Sequence, residues 1–437
     1  MSDRSERSDV AVVGAGAAGL MAGLWAARSA RAAGGARPRV VVLDGARRLG
    51  AKILVAGGGR CNVTHDVVDE TAFAGSSRRA IRKVLGRFDV ARTVAFFREL
   101  GVDLKREETG KLFPTTDSAR TVLDALLGAV RDAGAELVHP WRVERVARRD
   151  GGGFEIAGPA GTLVAERIVL ATGGKSLPQT GSDGAGYGIA RSLGHSITER
   201  VFPALVPLLL PAGDALRALR GVSARATVEV RSSAGAVLAR FTDGLLCTHF
   251  GVSGPAVLDA SRYLTAARFD DPGARLVVSW LPGETPESAD RALLARGAAG
   301  GGRFLRERGL PERLAEAICD AAGVPAGRPL RELARAERRA LAGAATEWTL
   351  AVAGDRGFTH AEVTAGGVPL SEIRLETMES RPCPGLHVVG EVCDVDGRIG
   401  GYNFQWAWAS GYVAGRAAGA AALRARDSAV DGKRAPG

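Results

Sequence analysis

Unbroken apolar runs punctuate the chain, and each is short. Val10-Ala11-Val12-Val13 comes first, and an Ala/Leu-rich helical spacing follows it from Ala17. Runs of this length, apolar on both faces, predict strands buried in a parallel sheet. Residues 39–43 (RVVVL) and 167–171 (RIVLA) repeat the pattern, and 386–391 (LHVVGE) reads as a last strand of the same kind. Between them, leucines at 123, 126 and 127 predict a helix over 121–133. Residues 141–146 read as a strand, with a hairpin turn at Gly151-Gly152-Gly153. From about residue 197 the pattern changes to short alternating strands broken by Pro and Gly, at 203–213, 225–231, 236–241 and 275–281. Those alternations predict a β-rich insertion. Residues 285–347 then turn polar and helical. The order is that of an α/β protein: a sheet domain at 1–195 and 370–437, an inserted β-rich domain at 196–284 and 348–369, and a small helical domain at 285–347.

The first strand ends in Gly14-Ala15-Gly16-Ala17-Ala18-Gly19, a G-x-G-x-x-G between a strand and a helix. In that context the glycines carry a mechanism. Gly14 permits the turn, Gly16 leaves room for a pyrophosphate, and Gly19 lets the helix sit close to the strand. The amides of Ala17, Ala18 and their neighbours open the helix and face the phosphates. Asp44 ends the second strand, where an acid accepts hydrogen bonds from ribose hydroxyls. It lies 25 residues after Gly19, and the loop Ala32-Ala33-Gly34-Gly35-Ala36 absorbs the excess over the usual ~20. A second glycine loop follows at 50–64, with Lys52, Gly58, Gly59, Arg60, Cys61 and Asn62. Three consecutive glycines suit neither a helix nor a central strand, so the loop exposes backbone amides. Arg60 has the geometry to fork onto phosphate, and Asn62 to bond amide-like edges. At the other end, Gly400-Gly401-Tyr402-Asn403 opens a helix on which Phe404, Trp408 and Tyr412 share a face. A helix N-terminus is partly positive.

Composition adds bounds. At 437 residues the chain has room for two or three domains. No apolar run reaches the ~18 residues of a membrane span. The opening MSDRSERSD lacks the apolar core of a signal peptide. Cys61, Cys247, Cys319, Cys383 and Cys393 form no C-x-x-C pair, which predicts reduced thiols and a cytoplasmic location rather than disulfides or zinc. Asp394-x-Asp396-Gly397 lacks the rest of a calcium loop. The net charge is +10, carried by Arg, with only six Lys. That fits either an Arg-favouring genome or a polyanion partner such as RNA. Arg331, Arg335, Arg338 and Arg339 fall at one-face helical spacing and are the candidate polyanion stripe. The basic stretch 76–106 reads as a solvated helix face.

Longer strings carry a resemblance. GAGAAGL and LDGARRLGAKILVAGGGRCNVTH are followed in order by GKLFPTTDSARTV, LATGGKSLPQTGSDGAGYGIARSLGH, LLCTHFGVSGPAVLDAS, AEVTAGGVPLSEI and GEVCDVDGRIGGYNFQWAWASGYVAG. This set resembles the bacterial BaiN/RdsA family of FAD-dependent oxidoreductases, also met as YhiN-type flavoproteins and as aminoacetone-oxidase-like proteins. The resemblance implies a Rossmann-like FAD-binding domain of the two-dinucleotide-binding type. It adds Val143 as an adenine contact, Ala171-Thr172-Gly173 as the strand exit passing the cofactor, and Gly390 and Glu391 at the ribityl chain. Gly401 to Asn403 would then face the flavin N1/O2 edge. Gly181 to Gly194, with Asp183 and Tyr187, would line the substrate side.

A flavin supplies redox chemistry, and the protein supplies position and electrostatics. Reducing a polarised C=C also needs an acid. His249, Cys247 and Cys61 are the candidates. The resemblance implies three substrates: a uridine in 23S ribosomal RNA, reduced to dihydrouridine; the C=C bonds of steroid intermediates; or aminoacetone as an oxidase substrate. No second G-x-G-x-x-G is present, so NADH or NADPH would bind transiently as reductant. A flavin-containing RNA-binding or assembly protein without turnover is the reading of another class.

Overall fold

β1 (Glu6–Val13) is followed by α1 (Ala17–Ala27) and β2 (Val40–Leu43). Later come α2 (Ala119–Asp132), β3 (Glu136–Val138), β4 (Gly161–Leu170), β5 (Leu386–Val388) and the long α3 (Tyr402–Asp431). The structure, a computed structural model, describes residues 6–29 and 37–431. The polar residues 1–5, the loop at 32–36 and the end of the tail at 432–437 lie outside the described residues. The chain divides into two units. One is Met1–Phe202 with Val363–Gly437, and the other is Pro203–Glu362.

In the first unit, β3-β2-β1-β4-β5 form one parallel sheet in that order. The order reverses between β1 and β4, which is where a sheet of this topology binds its ligand, outside the carboxyl ends. The uniform apolarity of β1 and β2 has the cause read from sequence: Val10 to Val13 and Val40 to Leu43 are at most 3% exposed. Arg145–Arg148 and Phe154–Gly158 form a hairpin that pairs antiparallel with the start of β4. The expected strand at 141–146 is thus later and shorter. Residues 141–144 run alongside as an irregular segment, held by Trp141 N–H to the Asp44 carbonyl (2.6 Å) and Glu144 N–H to the Ala157 carbonyl (2.9 Å).

α3 lies on α1 with an approach only glycine allows. A Cβ on Gly411, Gly415 or Gly419 would meet the Ala18, Ala22 or Ala26 carbonyl oxygen at 2.5, 2.3 and 2.6 Å. The partners advance together, so the two helices run parallel, backbone against backbone. The helix continues to Asp431.

The second unit holds a seven-stranded antiparallel sheet centred on Ser223–Arg231 and Val237–Thr248. Helices Pro286–Ala295, Gly301–Glu307, Glu312–Ala321 and Arg335–Thr346 share one hydrophobic cluster with it, through Leu293, Leu314 and Leu341 among others. The helical segment 285–347 therefore does not stand apart from the β-rich insertion. Chain connectivity hides this, because the shared core is built from both ends of the insertion.

Candidate functional site

The carboxyl ends of β1, β2, β4 and β5 carry the residues picked out by sequence. Gly14 has φ +103°, and a Cβ there would sit 2.4 Å from the Ala171 carbonyl oxygen at the exit of β4. A Cβ on Gly19 would lie 1.8 Å from the Gly14 carbonyl oxygen. A Cβ on Gly16 would meet nothing within 4 Å. The turn is closed where protein touches protein and open where a phosphate would lie. Ala17 and Ala18 begin α1, with no side chain capping its first amides. Those amides are free for an anion.

Asp44 organises this turn. Its carboxylate accepts Ala15 N–H (2.7 Å) on one oxygen and Ala46 N–H (2.7 Å) on the other. Arg142 crosses beside Gly45, and Val143 next to it is buried. The proposed adenine contact is therefore adjacent to the proposed ribose acceptor.

Beyond β4, Thr172-Gly173 turns with φ +73° at Gly173. Beyond β5, Gly390 has φ +73°; its N–H donates to Ser410 Oγ (3.1 Å) and its carbonyl accepts Trp406 Nε1–H (3.0 Å). Glu391 is the hub of a polar network. It accepts Ser176 Oγ–H (2.7 Å) and Thr364 N–H (3.0 Å) on one oxygen and the Lys52 ammonium on the other. Lys52 also donates to Ser176 Oγ (2.7 Å). Lys52 and Glu391 are thus brought together. Ser176 and Thr364, which complete the network, were not singled out by sequence, although both lie inside the resemblance strings. A cavity of about 410 Å³ near Lys175 is lined by Asp183, Tyr187 and Arg191, from the segment read as substrate-lining.

The glycine loop meets α3. A Cβ on Gly401 would lie 2.6 Å from the Thr64 carbonyl carbon. Thr64 Oγ–H donates to Gln405 Oε1 (2.7 Å), and Trp408 Nε1–H donates to the Val63 carbonyl (2.9 Å). Asn403 brackets Gly397, accepting its N–H (2.8 Å) and donating to its carbonyl (2.9 Å). Tyr402 stacks on His65, centroids 5.0 Å apart. Gly58 and Gly59 both have positive φ and open surroundings.

Arg60 differs from the expectation of a free phosphate fork. Its guanidinium stacks on Phe113 (4.0 Å) and pairs with Glu107 (2.6 Å) and Asp117 (3.5 Å). Its pKa is raised by the Glu107 hydrogen bond first. Those carboxylates lie far along the chain, so its own loop gives no sign of them.

The two glycine-lined helix starts lie on the same side of the first unit. Gly411 of α3 lies against Ala18 at the start of α1. Tyr402 is nine residues earlier, so α3 begins about 13 Å beyond the α1 N-terminus along a shared direction. Two helix N-termini thus address one edge of the sheet at different depths. In the same unit, Asn62 Oδ1 and Thr172 Oγ are buried without a hydrogen-bond partner among the described residues. Buried polar atoms are rarely left so. Open glycines, uncapped amides and orphaned polar atoms fit a phosphorylated ligand with an amide-bearing ring, as FAD is.

The acid candidates separate. Cys61 is buried in the first unit, and burial pushes its thiol up to about 12. Cys247 is buried in the second unit, and burial pushes it up to about 11. His249 is exposed in the second unit, on the turn between Val237–Thr248 and Gly251–Ser253. Its carbonyl accepts Arg217 Nε–H (2.8 Å), and its ring packs edge-on against Phe250 (5.0 Å). The arginine stripe is broken. Arg331 lies in a separate 3-10 turn, the helix starts only at Arg335, and Arg338 is paired with Asp290 (2.7 Å). Arg335 and Arg339 remain exposed. Among the described residues no cluster of His, Cys, Asp or Glu could hold a metal, and no helix is long and apolar enough to cross a membrane.

Comparison with known proteins agrees with this geometry. A family model described as HI0933-like protein Rossmann domain matches residues 8–417. The chain is 34% identical to a 3-dehydro-bile acid delta(4,6)-reductase of Clostridium scindens, over 94% of this chain and 98% of that protein. It is 33% identical to a ribosomal RNA dihydrouridine synthase of Escherichia coli, over 93% and 97%. Among solved structures, a 3-ketosteroid delta1-dehydrogenase from Sterolibacterium denitrificans superposes with a TM-score of 0.50 over 95% of this chain and all of that one, at 14% identity. At that identity the likeness is one of fold alone.

Proposed function

The chain belongs to the HI0933-like Rossmann family of FAD-dependent oxidoreductases, and from that premise we propose that it reduces a conjugated C=C bond with electrons from NADH or NADPH. The leading substrate is a uridine in 23S ribosomal RNA, converted to dihydrouridine. The observation that carries the reading is the convergence of the Gly14–Gly19 turn and the Gly400–Asn403 helix start on one sheet edge. FAD bound there supplies hydride transfer. The residues of the chain do the rest. The α1 amides hold the pyrophosphate, with Gly16 leaving it room. Asp44 fixes the turn and has lone pairs left for ribose hydroxyls. Lys52, Glu391 and Ser176 lock the β4 and β5 exits against each other. The start of α3 directs amides and a positive dipole end toward negative charge.

Saturating a C=C takes a hydride on one carbon and a proton on the other. We assign the proton to His249. Its ring is exposed and its backbone is gripped by Arg217, whereas both cysteine candidates are buried thiols. Two relatives support the bond type, since one is named a reductase and the other forms a saturated pyrimidine. The net charge of +10 supports an RNA substrate. One observation favours a small steroid-like substrate instead: residues 203–362 carry 20 Arg against 18 Asp and Glu, so the inserted unit is nearly neutral.

The test is mass spectrometry of ribosomal RNA nucleosides from a deletion strain. Loss of one dihydrouridine, restored by the wild-type gene, supports the RNA reading. An unchanged nucleoside profile, with NAD(P)H-dependent reduction of a 4-ene-3-keto steroid by the purified protein, replaces it with the small-molecule reading. A flavin that no nicotinamide reduces without air would end both. Complementation with His249→Gln should leave flavin content intact and lower turnover by about 10²- to 10⁴-fold. Unaltered turnover would remove His249 from the reaction.

A further inference from the structure

Next to the start of α3 lies a small antiparallel sheet made of Thr64–His65, Leu104–Arg106 and Lys111–Pro114. His65 and Lys111 are directly opposite each other in it, so their side chains leave the same face. Both reach Gly400. A Cβ built on Gly400 would lie 3.5 Å from Lys111 Cε and 3.6 Å from His65 Cδ2.

The two side chains are held very differently. His65 is fixed. Its Nε2–H donates to the Thr109 carbonyl (2.9 Å), Nδ1 lies 2.8 Å from Asp66 Oδ1, and its ring stacks on Tyr402. Lys111 is half-buried, and its ammonium has no hydrogen bond or ion pair among the described residues. Three carboxylates of this small neighbourhood are already engaged: Asp66 by Arg106, Glu107 by Arg60 and Asp117 by Lys105. Glu108 is exposed. With those carboxylates engaged, the Lys111 ammonium is left open to a ligand or to water. A compact cation on a flexible stem is suited to meeting such a ligand.

We propose that Lys111 is a charge-holding residue of the cofactor site, acting with the N-terminus of α3. The proposal rests on the reading of Gly400 to Asn403 as the cradle of the isoalloxazine ring. A dihydronicotinamide gives up a hydride, two electrons and one proton together, and leaves as the nicotinamide cation. Bound FAD would take up that hydride, and one negative charge would be added to its ring system. The Lys111 ammonium stabilises that charge and makes the bound FAD easier to reduce. His65 is a positioning residue: it fixes Tyr402 and sets the face from which Lys111 approaches.

The experiment equilibrates the purified holoprotein with a reference redox dye and reads the two-electron potential of bound FAD, beside FAD affinity of the stripped protein. Lys111→Met should lower the equilibrium constant for reduction at least tenfold, a shift of about 30 mV to more negative potential. Lys111→Arg should stay close to wild type, and Lys111→Gln should repeat the Met result if Met disturbs the strand. FAD affinity should change far less than the potential. An unchanged potential in both neutral variants, with FAD bound, overturns the role of Lys111 and leaves the cofactor site standing. Failure of the wild-type protein to bind FAD overturns the cradle and this inference together.

Discussion

His387 shows how one side chain couples the sheet to pH. It lies on β5, 2% exposed, with Nδ1–H donating to the Thr377 carbonyl (2.8 Å) and Nε2 unpartnered among the described residues. Burial is the main cause that lowers its pKa from 6.5 to about 4. The folded state therefore binds fewer protons than the unfolded chain between those values. Stability is fully present above pH 6.5 and is lost as pH falls toward 4, at up to about 1.4 kcal/mol per pH unit. Urea midpoints read by flavin release should fall between pH 7 and 5, and His387→Gln should flatten that dependence. A variant with the wild-type slope would place the titration elsewhere. At this scale the sequence was informative where a requirement is local. Gly14 and Gly19 are dictated by their own turn, and Asp44 by its place at a strand end. Arg60 was legible as a polar donor but not as the partner of Glu107 and Asp117, because an arginine's choice among distant carboxylates is made by tertiary structure. His65 and Lys111 share the limit: each sits in a segment that carries the family resemblance, yet their meeting depends on a strand pairing across 46 positions.

Helix contacts show the same division between local and distant causes. The apolar face of α3 was readable from Phe404, Trp408 and Tyr412, but its small face was not. Gly411, Gly415 and Gly419 repeat every four residues, and in a chain with 59 glycines that period does not stand out. The structure gives it a reason, since these positions touch α1 carbonyls. Gly→Ala in an exposed helix gains about 1 kcal/mol from propensity alone. At Gly415 the added methyl would stand 2.3 Å from the Ala22 oxygen, a backbone atom that cannot move without shifting α1. Overpacking of this kind costs about 1–3 kcal/mol. Gly415→Ala should therefore destabilise and weaken FAD retention, because α1 also carries the phosphate amides. Gly343, in the helix Arg335–Thr346 with nothing within 4 Å, should give the opposite sign. Paired melting curves read the contrast. Equal signs at the two positions would mean that the close approach is not carrying the contact. The arginine stripe failed for the converse reason. Its period presumed one continuous helix, and the chain is extended at Leu333 between the 3-10 turn and Arg335.

The two units pose the question of what the insertion contributes. Each has its own hydrophobic cluster. The chain leaves the first unit at Phe202 and re-enters it at Val363, and inside the insertion the ends are tied, with Glu362 N–H donating to the Leu205 carbonyl (3.2 Å). Ends this close can be joined by a few residues, and loop closure over so short a span adds little entropy. All the cofactor candidates, from Gly14 to Asn403, belong to the first unit, while His249, Cys247 and the arginines from 331 to 339 belong to the second. A chain in which a short Gly/Ser linker replaces 206–361 should then fold, purify yellow and accept electrons from a low-potential dye, yet show no turnover of RNA or steroid. Flavin content, the visible spectrum and activity are the readouts. Turnover surviving the deletion would move substrate recognition and the proton donor into the first unit, to Cys61 or to the segment around Tyr187. A soluble, folded deletion without flavin would mean that the cradle needs the insertion to form, and then the two hydrophobic clusters are not energetically separate.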